Sequence, residues 1–209
     1  MSKIKKHAGR PRDLEKKRAI IDSATTLLLE LGYGHTSMDA VAAKAGVSKQ
    51  TVYSHFQTKE NLFRCVIMER CDAFSPSVEL LDRQGLSPRE VLEKLGRGFA
   101  NLIFSHQCIL MQRLLMSDAA KHQRACEIFF EAGPQRMLDM LEKYFHEQNK
   151  KGKMDIKSPQ RAADHFFSMI QGTYHLKLLL NLEQDVSEQE IEETVQSVVD
   201  IYSKSYDFE

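Results

Sequence analysis

The chain has 209 residues, 29 Lys and Arg against 29 Asp and Glu, and 42% hydrophobic residues, a composition typical of folded domains and unlike a disordered or fibrous protein. It has no apolar run of about 18 residues, and its charged N-terminal stretch lacks the apolar segment of a signal peptide. We therefore predict a cytoplasmic protein without a membrane span.

The first segment, residues 1–12, is predicted to be a flexible basic arm. It has five Lys and Arg residues and no acidic residue, and Gly9 and Pro11 disfavour a helix. Arg10 and Arg12 can enter a narrow, A·T-rich minor groove, as other N-terminal arms do. The alternative is a solvated tail that adds only non-specific attraction to phosphates.

Residues 36–63 have the pattern of two short helices joined by a turn, followed by the start of a longer helix. Thr36 or Ser37 can cap the first helix, and Gly46 can end it in the left-handed conformation. Ser48 can cap the second helix. This pattern predicts a helix-turn-helix, which binds duplex DNA.

The second helix of this motif is predicted to present a polar face. Val52 and Phe56 recur at helical spacing and point inward, which leaves Lys49, Gln50, Thr51 and Tyr53 outward. Lys, Gln and Thr suit base edges, whereas Tyr, His and Thr suit phosphates. Lys59, just after a cap at Thr58, can hold a phosphate together with free helix N–H groups. The alternative is a surface corner of an ordinary helical protein.

A family resemblance covers residues 19–63 in uninterrupted register. The stretch resembles the DNA-binding domain of the TetR (tetracycline repressor) family of bacterial transcriptional regulators. The matching residues are Ile20, Ala24, Leu28, Gly32, Thr36, Ser37, Met38, Val41, Ala42, Ala45, Gly46, Val47, Ser48, Thr51, Tyr53, His55, Phe56, Lys59, Glu60 and Leu62.

The resemblance implies base contacts from Lys49 and Gln50, with Thr51 and Tyr53 at the edge of the groove. It implies phosphate contacts from His55 and Lys59. The full predicted DNA-binding set is Thr36, Ser37, Ser48, Lys49, Gln50, Thr51, Tyr53, His55 and Lys59. Base-reading positions vary within the family, so the operator sequence does not carry over.

Charge is distributed unevenly along the chain. Residues 1–60 carry 11 Lys and Arg against 6 Asp and Glu, whereas residues 61–209 carry 18 against 23. The basic residues 1–60 favour DNA binding at one end of the sequence, and the acidic residues 61–209 discourage it at the other.

The sequence predicts neither an enzyme nor a metal or cofactor site. The four cysteines have no C-x-x-C spacing, the histidines form no H-E-x-x-H pair, and no phosphate loop or nucleophile elbow is present. Cys65, Cys71, Cys108 and Cys126 are predicted to be buried thiols, with redox sensing as the alternative.

Helical periodicity continues after Leu62 without sustained strand alternation, so the predicted fold is all-α. We predict an arm (1–12), a helix-turn-helix domain (13–62) and a helical effector-binding and dimerisation body (63–209). Ser87 and Ser187 start capping boxes, Ser158 is expected to cap a helix that runs to about 182, and one long helix is expected over 119–149 with a kink near Gly133-Pro134.

Part of the body is similar to AefR-like C-terminal domains of the same family, which supports a helical body. The matching residues are Phe129, Glu131, Gly133, Pro134, Arg136, Gly152, Ala162, Ala163, Phe166, Gly172, Leu178, Leu179 and Leu180.

A homodimer through the last two helices is predicted. The apolar stripes that motivate it are Ile191, Val195, Val198 and Tyr202 on the last helix and Ala162, Ala163, Phe166, Phe167, Ile170, Thr173 and Tyr174 on the preceding one. Two such hairpins could form a four-helix bundle across a two-fold axis, and a two-fold dimer suits a palindromic operator. The alternative is packing within one chain.

The body is rich in Phe and Met, which suits a cavity for a small hydrophobic effector. The candidate effector residues are Phe99, Phe104, Met111, Phe129, Phe166, Gln171 and Tyr174, and the alternative for each is ordinary core packing. The sequence thus predicts a DNA-binding regulator, a repressor released by its effector. An activator, a ligand-independent regulator and a helical adaptor remain alternatives.

Overall fold

The computed structural model of the chain describes residues 9–74 and 84–208, with side chains from Asp13 onward, and confirms the all-α prediction over these ranges. No strand occurs in the described residues. The helices are α1 (Gly9–His35), α2 (Met38–Ala45), α3 (Lys49–Phe56), α4 (Lys59–Phe74), α5 (Pro88–Ile103), α6 (His106–Ser117), α7 (Gln123–Phe130), a π-helical segment (Glu131–Gln135), α8 (Arg136–Lys150), α9 (Pro159–Leu179) and α10 (Glu188–Tyr206). Among the described residues, none of these helices is long and apolar enough to cross a membrane.

The predicted basic arm differs from the structure at its C-terminal end. The backbone from Gly9 onward already belongs to α1. Pro11 does not prevent this helix because a proline in the first helical turn lacks only an N–H that has no intrahelical partner there. Residues 1–8 and the side chains of Arg10 and Arg12 lie outside the described part of the structure, so their predicted contact with the minor groove stays a prediction.

The described residues pack into two compact units. The first contains the described residues up to Val66 together with Leu114–Ile128, and the second contains the described residues of 67–113 and 129–208. The sequence analysis assigned residues 114–128 to the body, whereas the structure packs them with the helix-turn-helix. In the first unit the rings of Tyr33 and His122 lie 5.8 Å apart, edge to face. We refer to the two units as the head and the body.

The core of the body forms where α5, α9 and α10 meet. Gly96 on α5 allows close approach, because a Cβ there would lie 3.0 Å from Ile170 and 3.1 Å from Val195. Phe166 and Tyr202 pack edge to face at 5.3 Å, and the Tyr202 hydroxyl donates a hydrogen bond of 2.5 Å to the Ala162 carbonyl.

This packing changes the interpretation of the predicted dimer stripes. All four stripe residues of α10 are buried, as are most of those on α9: Ala162, Ala163, Phe166, Phe167, Ile170, Ile191, Val195, Val198 and Tyr202. The alternative of packing within one chain therefore applies to them, because they fill the body's core. Other side chains on these helices face outward.

Helix termini in the body follow the sequence signals closely. The capping boxes at Ser87 and Ser187 both form, with each hydroxyl accepting from the backbone of Glu90 or Glu190. Ser158 precedes α9 but makes no side-chain capping bond, and α9 starts at Pro159 without it.

Two backbone irregularities interrupt long helices. The predicted single helix over 119–149 is instead α7 and α8 joined by the π-helical segment around Gly133-Pro134, preceded by a turn that ends at His122. The π-helical segment, with Pro134 inside it, thus lies where the kink is expected, and this proline removes a backbone donor from the helix. In α9, Gly172 adopts φ 47°, which the sequence analysis did not predict.

Candidate nucleic-acid interface

Helix α2 is fixed at both ends by the residues predicted to cap it. Ser37 Oγ accepts a 3.1 Å hydrogen bond from the Ala40 N–H, and Gly46 leaves the helix at φ 65°. Met38, Val41 and Ala42 are buried. A residue with a Cβ is strained at this φ, so glycine at position 46 sets the direction in which α3 leaves the turn.

Helix α3 presents its polar face to solvent because its apolar face is fully covered. Val52 is 0% and Phe56 2% exposed. Ser48 Oγ accepts a 3.1 Å hydrogen bond from the Thr51 N–H, which caps the helix as predicted. Lys49, Gln50 and Tyr53 are exposed along one surface, the arrangement that a helix needs to enter a major groove.

Two predicted DNA ligands are paired with carboxylates within the head. Lys49 Nζ lies 2.5 Å from Asp39 Oδ2, and both side chains remain largely exposed. His55 Nε2 lies 3.3 Å from Asp13 Oδ1, and the His55 side chain is only 14% exposed. His55 therefore faces α1 in this structure, which differs from its predicted role against a phosphate.

The side chains of Thr36 and Ser37 form hydrogen bonds with backbone groups. Thr36 is buried, and its hydroxyl donates a 2.8 Å hydrogen bond to the Gly32 carbonyl. The Thr36 hydroxyl is thus engaged within the head, and its predicted contact with DNA stays a prediction. Ser37 is exposed but its oxygen is engaged as the cap of α2.

The start of α4 combines a cap, a lysine and a tight turn. Thr58 Oγ1 accepts a 3.1 Å hydrogen bond from the Asn61 N–H. Gln57 precedes it at φ 61°, and the Thr58 N–H donates to the Phe56 carbonyl across this residue at 2.7 Å, which forms a γ-turn. The γ-turn brings the first turn of α4 directly after the recognition helix α3.

Lys59 packs against an aromatic ring at this helix start. Its Nζ lies 4.1 Å from the centroid of the Tyr33 ring, and the Tyr33 hydroxyl donates a 3.3 Å hydrogen bond to Glu60. Burial, followed by the charge of Glu60, raises the pKa of Tyr33 to about 12. Burial lowers the pKa of Lys59, and the charge of Glu60 opposes that shift.

Several predicted effector residues of the body contact other aromatic rings. Phe104 and Tyr174 pack edge to face at 6.4 Å, and Phe99 packs on Phe167 at 4.6 Å. Phe166, 0% exposed, is enclosed by Tyr202 and Phe167, which is the packing of a core residue. Met111 is buried and Phe129 is half-buried.

Both polar members of that set already have partners. The Tyr174 hydroxyl donates a 2.7 Å hydrogen bond to Glu190, and the Gln171 amide lies 2.6 Å from His175 Nδ1. An open surface pocket of about 590 Å³ exists elsewhere in the body, and none of the predicted effector residues lines it. It is lined by Gly85, Leu86, Ser87, Pro88, Glu90, Lys153, Asp207 and Phe208.

Sequence reasoning missed a polar network between α6 and α9. An amide nitrogen can only donate, so Gln171 donates to His175 Nδ1, and His175 Nε2 then donates to Gln112 Oε1 at 2.9 Å. Burial lowers the pKa of His175, which favours this neutral form. Gln171 and His175 are four residues apart, but no local pattern signals their link to Gln112, which lies 63 residues from His175 along the sequence.

Arg113, next to Gln112, holds the end of α9. Its guanidinium donates to the Leu179 carbonyl at 3.0 Å, to the Leu178 carbonyl and to Asn181 Oδ1 at 3.3 Å. These carbonyls belong to the last turn of the helix, where backbone acceptors lack intrahelical partners. The basic side chain thus caps α9 from another helix.

A capped α2, a glycine turn and an exposed polar α3 define the class of helix-turn-helix DNA-binding proteins. Two family models match the chain: "Bacterial regulatory proteins, tetR family" over residues 20–66 and "AefR-like transcriptional repressor, C-terminal domain" over residues 90–208. The second match alone covers more than half of the chain. The chain therefore belongs to the TetR family of DNA-binding transcriptional regulators, which are not enzymes.

Solved structures agree with this membership. A TetR-family transcriptional regulator from Mesorhizobium loti MAFF303099 is 28% identical, with a TM-score of 0.76 over 93% of this chain and 98% of that one. The flavonoid-responsive regulator FrrA is 29% identical, with a TM-score of 0.70 over 95% and 98% of the two chains.

Two curated relatives match over shorter stretches. The transcriptional activator FasR of Mycolicibacterium smegmatis is 30% identical over 93 residues, which is 44% of this chain and 42% of FasR. The next, the regulator YhgD of Bacillus subtilis, is 42% identical over 50 residues, 24% of this chain and 26% of YhgD. The chain thus spans less than half the length of these two relatives.

Proposed function

We propose that the protein is a cytoplasmic, homodimeric repressor that reads a palindromic operator and releases it when the body binds a small hydrophobic effector. The observation that carries the DNA-reading part is the exposed face of α3. Val52 and Phe56 fix the helix from below, which leaves Lys49, Gln50 and Tyr53 at the surface. Lys and Gln at such positions hydrogen-bond base edges in the major groove.

A dimer rests on the outward faces of α9 and α10. The exposed apolar side chains of this region are Leu176 (58% exposed) on α9, Leu180 (60%) and Leu182 (69%) just after its end, and Ile201 (46%) on α10. Exposed leucines so close together in the sequence favour burial against a second copy. Leu176→Glu with Leu180→Glu should convert a dimer to a folded monomer in sedimentation, whereas Leu31→Glu, an equally apolar exposed site in the head (46%), should leave the dimer intact.

The effector proposal is supported by the aromatic residues between α5 and α9 and by the similarity to FrrA, whose name describes it as responsive to flavonoids. An aromatic, weakly polar compound suits rings such as Phe104 and Tyr174 and the amide of Gln171. Repression is favoured over activation by the description of the matched C-terminal family, although FasR is named an activator. Because coupling is reciprocal, operator DNA must weaken effector binding by the factor by which effector weakens operator binding.

The proposal is tested by selecting bound duplexes from a random DNA pool at near-physiological salt. An enriched inverted repeat, with half-sites about one helical turn apart, is the expected result for a two-fold dimer. The selected operator, placed before a reporter gene, then separates repression from activation. Failure to enrich any sequence, with only uniform salt-labile binding, would instead favour an adaptor whose helix-turn-helix no longer reads bases.

A further inference from the structure

The phenol of Tyr33 lies between a lysine predicted to contact DNA and a turn from a distant part of the sequence. Lys59 Nζ lies 4.1 Å from its ring centroid, and the His122 ring approaches its edge at 5.8 Å. Phe63 packs on it at 5.1 Å with an interplanar angle of 58°. The Tyr33 ring therefore has neighbours on several sides, which restrict its position.

The position of Lys59 matters because a free lysine side chain has many rotamers. Fixing one rotamer costs side-chain entropy, a cost that a phosphate contact must otherwise overcome. A ring face attracts an ammonium group through its quadrupole, and the attraction is larger when the pair is partly shielded from water. Both Lys59 and Tyr33 are half-buried, so the ring can hold the ammonium before DNA arrives.

We propose that Tyr33 is a positioning residue for DNA binding: its ring holds the Lys59 ammonium at the start of α4, where one side of the ammonium faces the ring and another donates hydrogen bonds to a phosphate of the DNA backbone. The role of Lys59 as a phosphate ligand rests on the proposed function. The ring-held geometry rests on the contacts alone.

The Tyr33 ring is itself held by His122. His122 ends the turn after α6, with its N–H bonded to the Asp118 carbonyl at 3.0 Å. The turn is tightly seated in the head, since a Cβ on Gly34 would lie 2.5 Å from His122 Nε2. The edge of Tyr33 thus rests on a turn contributed by Leu114–Ile128, the stretch that the structure packs with the head.

The contact is tested first without DNA. The ring current of Tyr33 should shift the Lys59 ε-methylene protons upfield in the NMR spectrum. Tyr33→Phe keeps the ring face and should keep the shift, whereas Tyr33→Leu should abolish it. An unshifted Lys59 in the wild-type protein would overturn the proposal, whatever the protein does to DNA.

The consequence for binding is tested by a double-mutant cycle on the selected duplex. Tyr33→Leu should weaken binding about three- to tenfold, with unchanged sequence preference, and Tyr33→Phe should stay close to wild type. In a Lys59→Ala background, Tyr33→Leu should have no further effect. Additive losses, or a loss shared by Tyr33→Phe, would show a structural role only and overturn the positioning role.

The design separates this inference from the proposed function. If wild-type protein binds no duplex, the proposed function fails while the ring-current result still reports the contact. If Tyr33→Leu proves unstable by thermal unfolding, His122→Ala gives a second cycle with Lys59→Ala. His122→Ala should weaken duplex binding less than Tyr33→Leu does. The proposal is supported if this loss of affinity vanishes in the Lys59→Ala background, and contradicted if it persists there.

Discussion

The head and the body obtain their geometry from different kinds of contact. In the head, Ser37, Ser48 and Thr58 each cap the helix that follows them, and Gly46 turns the chain within a few residues. In the body, the end of α9 is held by Arg113, more than sixty residues away along the sequence. Local signals therefore specify the ends of α2 and the start of α3, whereas the end of α9 depends on a side chain that only the fold brings next to it.

The largest effect is expected where this long-range contact is lost. Arg113→Met removes charged hydrogen bonds to the last turn of α9 and should lower the free energy of unfolding by about 2 to 3 kcal/mol in denaturant titration. Arg97→Met is the control, since its bridge to Glu192 at 3.0 Å is exposed and should contribute at most about 1 kcal/mol. Equal losses of unfolding free energy from both variants would show that the hydrogen bonds of Arg113 to α9 stabilise the protein no more than an exposed salt bridge does.

A slightly smaller effect is expected from the glycine turn of the head. Gly46→Ala should destabilise the protein by about 1 to 2 kcal/mol because φ 65° is unfavourable for a residue with a Cβ. Outside residues 45–47, no described atom lies within 4 Å of the added methyl, so the cost comes from the local backbone conformation and not from a clash with the rest of the head. Gly46→Asn should recover part of the loss in thermal unfolding; a larger loss for Asn than for Ala would contradict this explanation.

Equal effects are expected where both units use the same local device. Ser48→Ala in the head and Ser187→Ala in the body each remove a side-chain oxygen that caps a helix. Each should cost about 1 kcal/mol in the free energy of unfolding. Clearly different losses in the free energy of unfolding would mean that the strength of a helix cap differs between the head and the body.

The smallest effect concerns pH and the body's polar network. Burial lowers the pKa of His175 in the folded state, so the unfolded chain takes up a proton first as pH falls. Stability should therefore decline below about pH 6.5, the ordinary histidine pKa, and level off once the folded state is also protonated. His175→Gln should lose this part of the pH dependence, while His146→Gln at an exposed site should keep it. The same decline in both variants would assign it to other groups.

The sequence specified the elements better than the contacts between them. The helix-turn-helix and both capping boxes are confirmed. Each of their helix caps is a local signal, in which the capping side chain and the backbone group it bonds lie within four residues. For the stripe on α10, the structure favours the alternative of packing within one chain, because periodicity shows that a face is apolar and does not show what covers it. The roles of Thr36 and His55 were obscured for a similar reason: each finds its partner on α1, where Gly32 and Asp13 lie.

The most direct test of the account compares specific and scrambled duplexes across a series of salt concentrations. Lys49→Ala and Gln50→Ala should each lose about 1 to 3 kcal/mol on the specific duplex and little on the scrambled one, so sequence preference relaxes. Lys59→Ala should weaken both duplexes alike and reduce the salt slope by about one. If Lys49→Ala and Gln50→Ala leave the preference unchanged, α3 is not the helix that reads DNA, and the central claim is contradicted.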